Sequence, residues 1–302
     1  MSRVSIVKGD DRFANVLQAL ELVGDEVKPK IGGRVLIKVN TVMQDAPLAN
    51  THPEALRAVL AYLQPLKPER VWVGEASGDV QALFQASGFA ALKNEFDFTF
   101  IDFNSLGYDP LELIDVAGKP FPAQITRVAG EYDCLISLSL PKAHSDAVLT
   151  LSGKNMMGFL ENDQMWRIHG VREFGRDDNI VACTKTIHKN LRTLMAHIRP
   201  DVAVLDGFHS FEGGRVPQCG DGDYVEPHLA FAGADFVAVD TVTAQVFGFD
   251  PQEIGYLVYA TQDGYGTLDM QQIEVTGVPL AAQARFPLKA APRVEILKQW
   301  RD

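Results

Sequence analysis

Short runs of β-branched and aliphatic residues recur along the chain, separated by stretches whose apolar positions return every three to four residues. The runs are VSIV (4–7), RVLIKV (34–39), RVWVG (70–74), FTFID (98–102), CLISLSL (134–140), DVAVLD (201–206) and LAFAG (229–233). Bounded by turn residues and only four to seven residues long, they read as strands. Between the second and third, Leu56, Val59, Leu60 and Leu63 fall at i, i+3, i+4 and i+7. That stripe marks an amphipathic helix, and the capping-box spacing Thr51-x-x-Glu54 marks its start. Similar helices read at 11–23, 80–94, 184–198 and 236–247, the last framed by Asp235 as N-cap and Gly248 as C-cap. Strands alternating with helices predict βαβ units, hence an α/β fold in three layers: a mostly parallel sheet flanked by helices. The segment 108–128, with Gly118-Lys119-Pro120, reads as a hairpin excursion. No repeat, low-complexity tract or linker interrupts the 302 residues. One α/β domain with insertions is expected, with a softer division near residue 140 into lobes 1–140 and 141–302, the second mixing helix and strand.

In an open parallel sheet, ligands bind beyond the carboxyl ends of the strands. Those ends are polar here. VLIKVNT delivers Lys38 and Asn40, alternate residues on one face of an extended chain; VWVGEASG ends in Glu75 and Ser77, LISLSLPKAH in Lys142 and His144, and DVAVLDGFHSFEGG in Asp206, His209 and Glu212. SGKNMMGF (152–159) adds Lys154 and Asn155. Lys38, Lys142 and Lys154 lie in apolar or glycine-rich surroundings rather than on charge-rich faces. Together they predict a cationic pocket suited to a carboxylate or phosphate, oriented by asparagine and backbone N–H groups. One lysine acting as a base or Schiff-base nucleophile is the alternative. Gly213, Gly214 and Gly220, around Cys219, read either as a lid over that crevice or as plain turns. GxxxxGK[ST] is absent, no GxGxxG follows the first strand, and there is no GxSxG elbow.

Composition narrows the partners. The chain is 46% hydrophobic and 22% charged, and 39 acidic against 28 basic residues leave a formal charge of −11. That balance repels a phosphate backbone, so no nucleic-acid partner is expected. The apolar runs fall far short of a bilayer span and the N-terminal one is too short for a signal peptide, so no membrane association and a cytoplasmic location are expected. Cys134, Cys183 and Cys219 are widely spaced and lack a CxxC pair. They predict neither a disulfide framework nor a ferredoxin-type iron–sulfur cluster from the chain's own cysteines. The seven histidines contain no HxxxH or HExxH pair, so any metal site must be assembled from separate segments. His197 reads as a cation at a helix C-terminus and His52 as part of the helix start beside Pro53. His169, in WRIHG, reads either as a pocket residue or as a loop cap.

The blocks VLIKVN (35–40), THPEALRAVL (51–60), VGEASG (73–78), PKAHSDAVLTLSGKNMMG (141–158), IHKNL (187–191), PDVAVLDG (200–207), EGG (212–214) and ADFVAVDTVTAQVFGFDP (234–251) resemble, in order and spacing, the family known as domain of unknown function 362. Many of its members carry an added ferredoxin-type cysteine cluster that this chain lacks. The resemblance points to Lys38, Asn40, Thr51, His52, Pro53, Glu75, Ser77, Lys142, His144, Lys154, Asn155, His188, Asp206, Glu212 and Asp240. The reading that follows is an enzyme, a metal-dependent oxidoreductase, isomerase or lyase acting on a small anionic substrate. Lys38, Glu75, Lys142, His144 and Lys154 are its catalytic candidates. Asn40, Thr51, His52, Ser77, Asn155, Gly213 and Gly214 would hold the ligand or cofactor. His144, His188, Asp206 and Glu212 would bind zinc, iron or nickel, which suit imidazole beside carboxylate. The alternative is a module that holds a cofactor or metallocentre for a redox partner protein; a homo-oligomer is also contemplated.

Overall fold

Each of the seven runs forms a strand of a single sheet. The computed structural model describes residues 1–301 except 43–45, 77, 162, 163, 165, 166, 170–178, 216–221, 281 and 282. Its strands are β1 (Ser2–Lys8), β2 (Arg34–Lys38), β3 (Arg70–Glu75), β4 (Thr99–Asp102), β5 (Tyr108–Ile114), β6 (Pro120–Thr126), β7 (Cys134–Ser139), β8 (Lys142–His144), β9 (Val148–Thr150), β10 (Val202–Gly207), β11 (Ser210–Glu212), β12 (Asp223–Val225), β13 (Leu229–Gly233) and β14 (Ile273–Gly277). Its α-helices are α1 (Arg12–Leu22), α2 (Gly24–Val27), α3 (Pro53–Leu63), α4 (Val80–Ala86), α5 (Ser152–Asn155), α6 (Ile180–His197), α7 (Phe236–Val246), α8 (Gly255–Gln262) and α9 (Val294–Leu297).

Eight strands form the main sheet in the order β14-β1-β13-β10-β7-β2-β3-β4. Neighbours are parallel except at β13, which runs antiparallel to both β1 and β10. The fold is therefore α/β with a mostly parallel sheet, as the periodicity predicts. Side-chain alternation decides what each face meets. Val35 and Ile37 of β2 pack with Val16, Leu56, Val59 and Phe84 of α1, α3 and α4. Leu36 belongs to the opposite core, with Leu191, Val239 and Leu257 of α6, α7 and α8. Lys38, two residues on from Leu36, points to that second face, where α5 lies. Burying each such aliphatic side chain contributes about 1.5–3 kcal/mol before entropy, so two covered faces fix the register firmly.

Chain order reverses where β2 meets β7. From β2 the chain proceeds through α3 to β3 on one side, and from β7 through α5 and α6 to β10 on the other. Such a switch point parts the loops beyond the strand ends and leaves a crevice there. Lys38 ends β2, and Lys142 follows β7 by three residues, so both flank it.

Several local features depart from the expectation. The capping box does not form: α3 begins at Pro53 with His52 as N-cap, its Nδ1 accepting the Glu54 N–H at 3.1 Å. Proline at the first helical position, which has no N–H to satisfy, suits that start. Thr51 Oγ1 is instead used by the sheet edge, accepting the Asn40 N–H at 2.8 Å and donating to Leu138 O at 3.0 Å. The helix read over 80–94 stops at Ala86; Gly88, at φ +74°, turns the chain into a 3₁₀ segment over Phe89–Asn94. The hairpin is β5 with β6, Tyr108 opposite Thr126 and Ile114 opposite Pro120. A second sheet, β12-β11-β8-β9, grows from the loops after β7 and β10. Its strands are three residues each, too short to show a period. Among the described residues, no helix is long and apolar enough to cross a membrane.

Candidate functional site

The crevice at the switch point is filled by its own polar side chains. Lys38 and Glu75, each 1% exposed, form an ion pair with Nζ 2.7 Å from Oε1. Lys38 Nζ also donates to Val39 O at 2.6 Å and to Asn155 Oδ1 at 3.4 Å. The Glu75 carboxylate accepts the Ala76 N–H at 2.9 Å on one oxygen and the Thr41 N–H at 3.0 Å on the other. Gly158 is obligatory here, because a Cβ at that position would collide with both Lys38 and Glu75. Asn155 joins the strands: its Nδ2 donates to Lys38 O at 3.2 Å and Ser137 Oγ at 3.0 Å, and its Oδ1 accepts from Asn40 Nδ2 at 3.0 Å. Lys142 Nζ closes the network, donating to Asn40 Oδ1 and, at 3.1 Å, to Ala49 O. Its ammonium also sits over the Phe211 ring, 5.7 Å from the centroid.

The lysines of this network are deeply buried. Lys38, Lys142 and Lys154 are 1%, 3% and 7% exposed, and each buried ammonium costs several kcal/mol in lost hydration. Glu75 compensates Lys38. The hydrogen-bond acceptors of Lys142 are two neutral amide oxygens, and the charges beside it are Lys154, Glu75 and Lys38. Burial, followed by the charge of Lys154, brings Lys142 down to about 7, against the pull of Glu75. Burial also lowers Lys38, opposed by its partner carboxylate. The network reaches solvent through Asn40 and His144, both half-buried. Surface hollows of about 480 Å³ on the hairpin and about 630 Å³ beside α8 are lined by none of these residues.

His144 ends β8, two residues beyond Lys142 and on the same face of the strand. With Asp146 and His169 it forms a group whose ligating atoms lie within 4.8 Å of one another. The two imidazoles stack nearly parallel, centroids 5.5 Å apart and 9° between planes. Two histidines and a carboxylate are a donor set for zinc or iron, and no other such group of three occurs among the described residues. One detail bears on its chemistry: His144 Nδ1 accepts the N–H groups of Asp146 at 3.0 Å and Ala147 at 3.2 Å. A neutral ring so held carries its proton on Nε2 and is a donor there. Coordination through Nε2 therefore competes with those two bonds, whereas hydrogen-bond donation from Nε2–H does not.

The remaining predicted residues are spread along the same end of the molecule. His188 is fully buried on α6 beneath α5. Its Nδ1 accepts the Tyr256 N–H at 3.1 Å, and its Nε2 has no hydrogen-bond partner. Burial and then the charge of Lys154 push His188 down to about 3, so it is neutral at all working pH values. Asp206 pairs with Arg12 at 3.1 Å, 5% and 9% exposed respectively. Arg12 also contacts His209 Nδ1 and lies 4.7 Å over the Phe208 ring. His52 belongs to this second cluster: burial, then the charges of Arg12 and His209, lowers it to about 4. Glu212 accepts the Lys289 N–H at 2.7 Å. Gly213 and Gly214 hold φ of +82° and +92°. Gly213 N–H bonds Lys289 O at 2.9 Å, and Gly214 packs on Ala291 beside Ser145. Thus Lys38, Asn40, Thr51, Glu75, Lys142, Lys154 and Asn155 converge, while the quartet His144, His188, Asp206 and Glu212 is not drawn into one group. Asp146 and His169 take the places beside His144. Asp146 is legible in PKAHSD only as a neighbour of His144, and His169 carries no positional signal at all. Ser77, Cys219 and Gly220 lie outside the described residues.

The model of the family described as domain of unknown function (DUF362) matches residues 35–245, from β2 into α7, and so spans the whole lysine network. A thylakoid-associated protein of Synechocystis sp. is 26% identical over 292 residues, covering 95% of this chain and 80% of that one. Among solved structures, the lactate racemase apoprotein from Thermoanaerobacterium thermosaccharolyticum aligns at 16% identity with a TM-score of 0.48, over 78% of this chain and 54% of that one. A Thermotoga maritima protein aligns at 12% identity with a TM-score of 0.40, over 76% of this chain and 57% of that one. The chain thus spans little more than half the length of either solved structure.

Proposed function

We propose, for a chain that belongs to the DUF362 family, that the protein is an enzyme which holds a small carboxylate- or phosphate-bearing compound against Lys142, Lys154 and Asn40. The observation that carries this reading is the burial of the Lys142 ammonium against neutral hydrogen-bond acceptors. Lys142 and Lys154 are almost wholly desolvated beside Lys38, whose partner is Glu75. A buried ammonium held by neutral oxygens costs stability, and an incoming anion reduces that cost. In this reading Lys38 and Glu75 are the scaffold: their pair, with Asn155 between them, fixes where Lys142 and Asn40 point.

His144, Asp146 and His169 supply the chemistry next to the anion. Loaded with a divalent transition metal, the group would polarise a substrate oxygen as a Lewis acid. The hydrogen bonds accepted by His144 Nδ1 favour a second assignment, in which the His144 Nε2–H donates a hydrogen bond to the bound anion with no metal involved. The near-complete burial of the lysines also suits a protein that holds an anionic cofactor for a partner without turnover.

Calorimetric titration with acetate and with sulfate tests the anion site. Saturable binding that weakens at least tenfold in Lys154→Met, with the circular dichroism spectrum retained, is the expected result. No binding of either probe to the wild type would overturn the reading. Elemental analysis of protein prepared with and without oxygen separates the two histidine assignments. About one metal atom per chain, lost in His169→Ala, supports the metal, and less than about a tenth supports the hydrogen-bond donor.

A further inference from the structure

The short helix α5 carries Lys154 and Asn155, two polar members of the lysine network, yet at four residues it is too short to hold its own orientation. What holds it is Asp240, from the middle of α7. Asp240 is fully buried, and its two carboxylate oxygens accept the N–H groups of successive residues, Ser152 at 2.9 Å and Gly153 at 2.9 Å. Gly153 lies in a slot where an added Cβ would come within 3.2 Å of the Phe236 and Tyr256 rings, so α5 is pressed against α7 and α8 as well as tethered. We infer that Asp240 is the positioning residue of the anion site, setting the aim of Lys154 and Asn155 through a two-pronged grip on the start of α5. This inference rests on the anion-site reading for its affinity readout, but not for its structural one.

Both prongs require the carboxylate. A protonated or amidated side chain keeps one acceptor and turns a donor toward the other N–H, which breaks the grip. Burial raises Asp240 to about 7, against the pull of the Gly153 and Ser152 N–H groups, so the grip tightens as the pH rises through neutrality. The charged and titratable groups that act on it are Asp235 at the start of α7, whose charge adds to the upward push, and Tyr256 on α8, whose hydroxyl Asp240 helps to raise. A residue in the heart of the apolar helix α7, touching no ligand, would thus add a pH dependence of its own to a site on the far side of α5, beside that of Lys142.

Amide hydrogen exchange at Ser152 and Gly153, corrected for intrinsic rates, tests this between pH 5.5 and 8.5, alongside the affinity for sulfate, whose charge is constant over that range. In the wild type, protection should rise with pH through neutrality, whereas sulfate affinity also loses the charge of Lys142, brought down to about 7, over the same range. In Asp240→Asn, protection should be lower and flat with pH, and sulfate affinity about tenfold weaker at pH 7, the loss of one charge-assisted hydrogen bond. Equal, pH-independent protection in both proteins would overturn the inference. If sulfate binds neither protein, the anion-site reading fails while the exchange data still decide the role of Asp240. Should Asp240→Asn fail to fold, the pH dependence of exchange in the wild type decides it alone.

Discussion

Two ionic clusters sit at the same end of the same sheet and solve opposite problems. Over β1 and β10, Arg12 faces Asp206, its guanidinium covers Phe208, and His209 leads out to Glu226 at 3.0 Å, itself exposed. His228 completes that cluster, 2.9 Å from Asp10 and stacked on Phe208 at 4.2 Å. Arg12 has an anion of its own there, each of these histidines meets a carboxylate and the outer members meet solvent, as expected of polar groups kept for structure. Over β2, β3 and β7 the pairing is less direct. Lys38 has Glu75, but the hydrogen bonds of Lys142 go to neutral oxygens, with Glu75 acting on it only at longer range. The difference teaches that a directly paired cluster explains itself through stability, while a buried cation held by neutral oxygens calls for a ligand.

The comparison breaks first where both clusters hold a closed pair. Lys38→Met strands Glu75 inside the protein and should cost about 3–5 kcal/mol by urea unfolding, most of it recovered by also making Glu75→Gln. Arg12→Met should cost about 3 kcal/mol at pH 8 and less at pH 5. Burial already raises Asp206, so the stranded acid takes up a proton more readily as the pH falls. An equal loss at both values would contradict that account of the pair.

The buried lysines can also be read from their inner side. His188 falls to about 3 in the folded protein, through burial and then Lys154. A folded value below the unfolded one means that its stabilisation is complete above about 6.5 and is lost as the pH falls toward 3. At pH 4.5 the wild type should have lost about 2–3 kcal/mol more, relative to pH 7, than His188→Gln does. Matching pH profiles would show that His188 is not held neutral. The smallest effect on stability belongs to Lys142→Met, which removes a desolvated cation held by neutral oxygens. It should change the unfolding free energy by no more than about 1 kcal/mol and can raise it.

Sequence carried the sheet better than the site. All seven apolar runs became strands because a strand covered on both faces needs an unbroken apolar run, which stands out without reference to the rest of the chain. The strand β14 was missed because IEVTG, at the sheet edge, is half polar. The antiparallel entry of β13 between β1 and β10 depends on pairings far apart in sequence, which no local pattern encodes. Within the site, Lys38, Asn40 and Lys142 were legible because charged residues at apolar strand ends conflict with their surroundings, and that conflict is visible residue by residue. Asp146 and His169 were not, since the meeting of β8 with the 3₁₀ turn at Arg167–His169 is set by tertiary packing. Asp206 read as a ligand because its arginine partner lies 194 positions earlier in the chain, on α1.

The central claim is that the buried Lys142 is kept for an anion rather than for the fold. Calorimetric titration of sulfate into the wild type and Lys142→Met, with the unfolding free energy of both proteins in hand, tests it most directly. The account predicts saturable binding by the wild type and none by the variant, at equal or greater stability. Absent binding by the wild type, with a variant several kcal/mol less stable, would show the lysine to be structural.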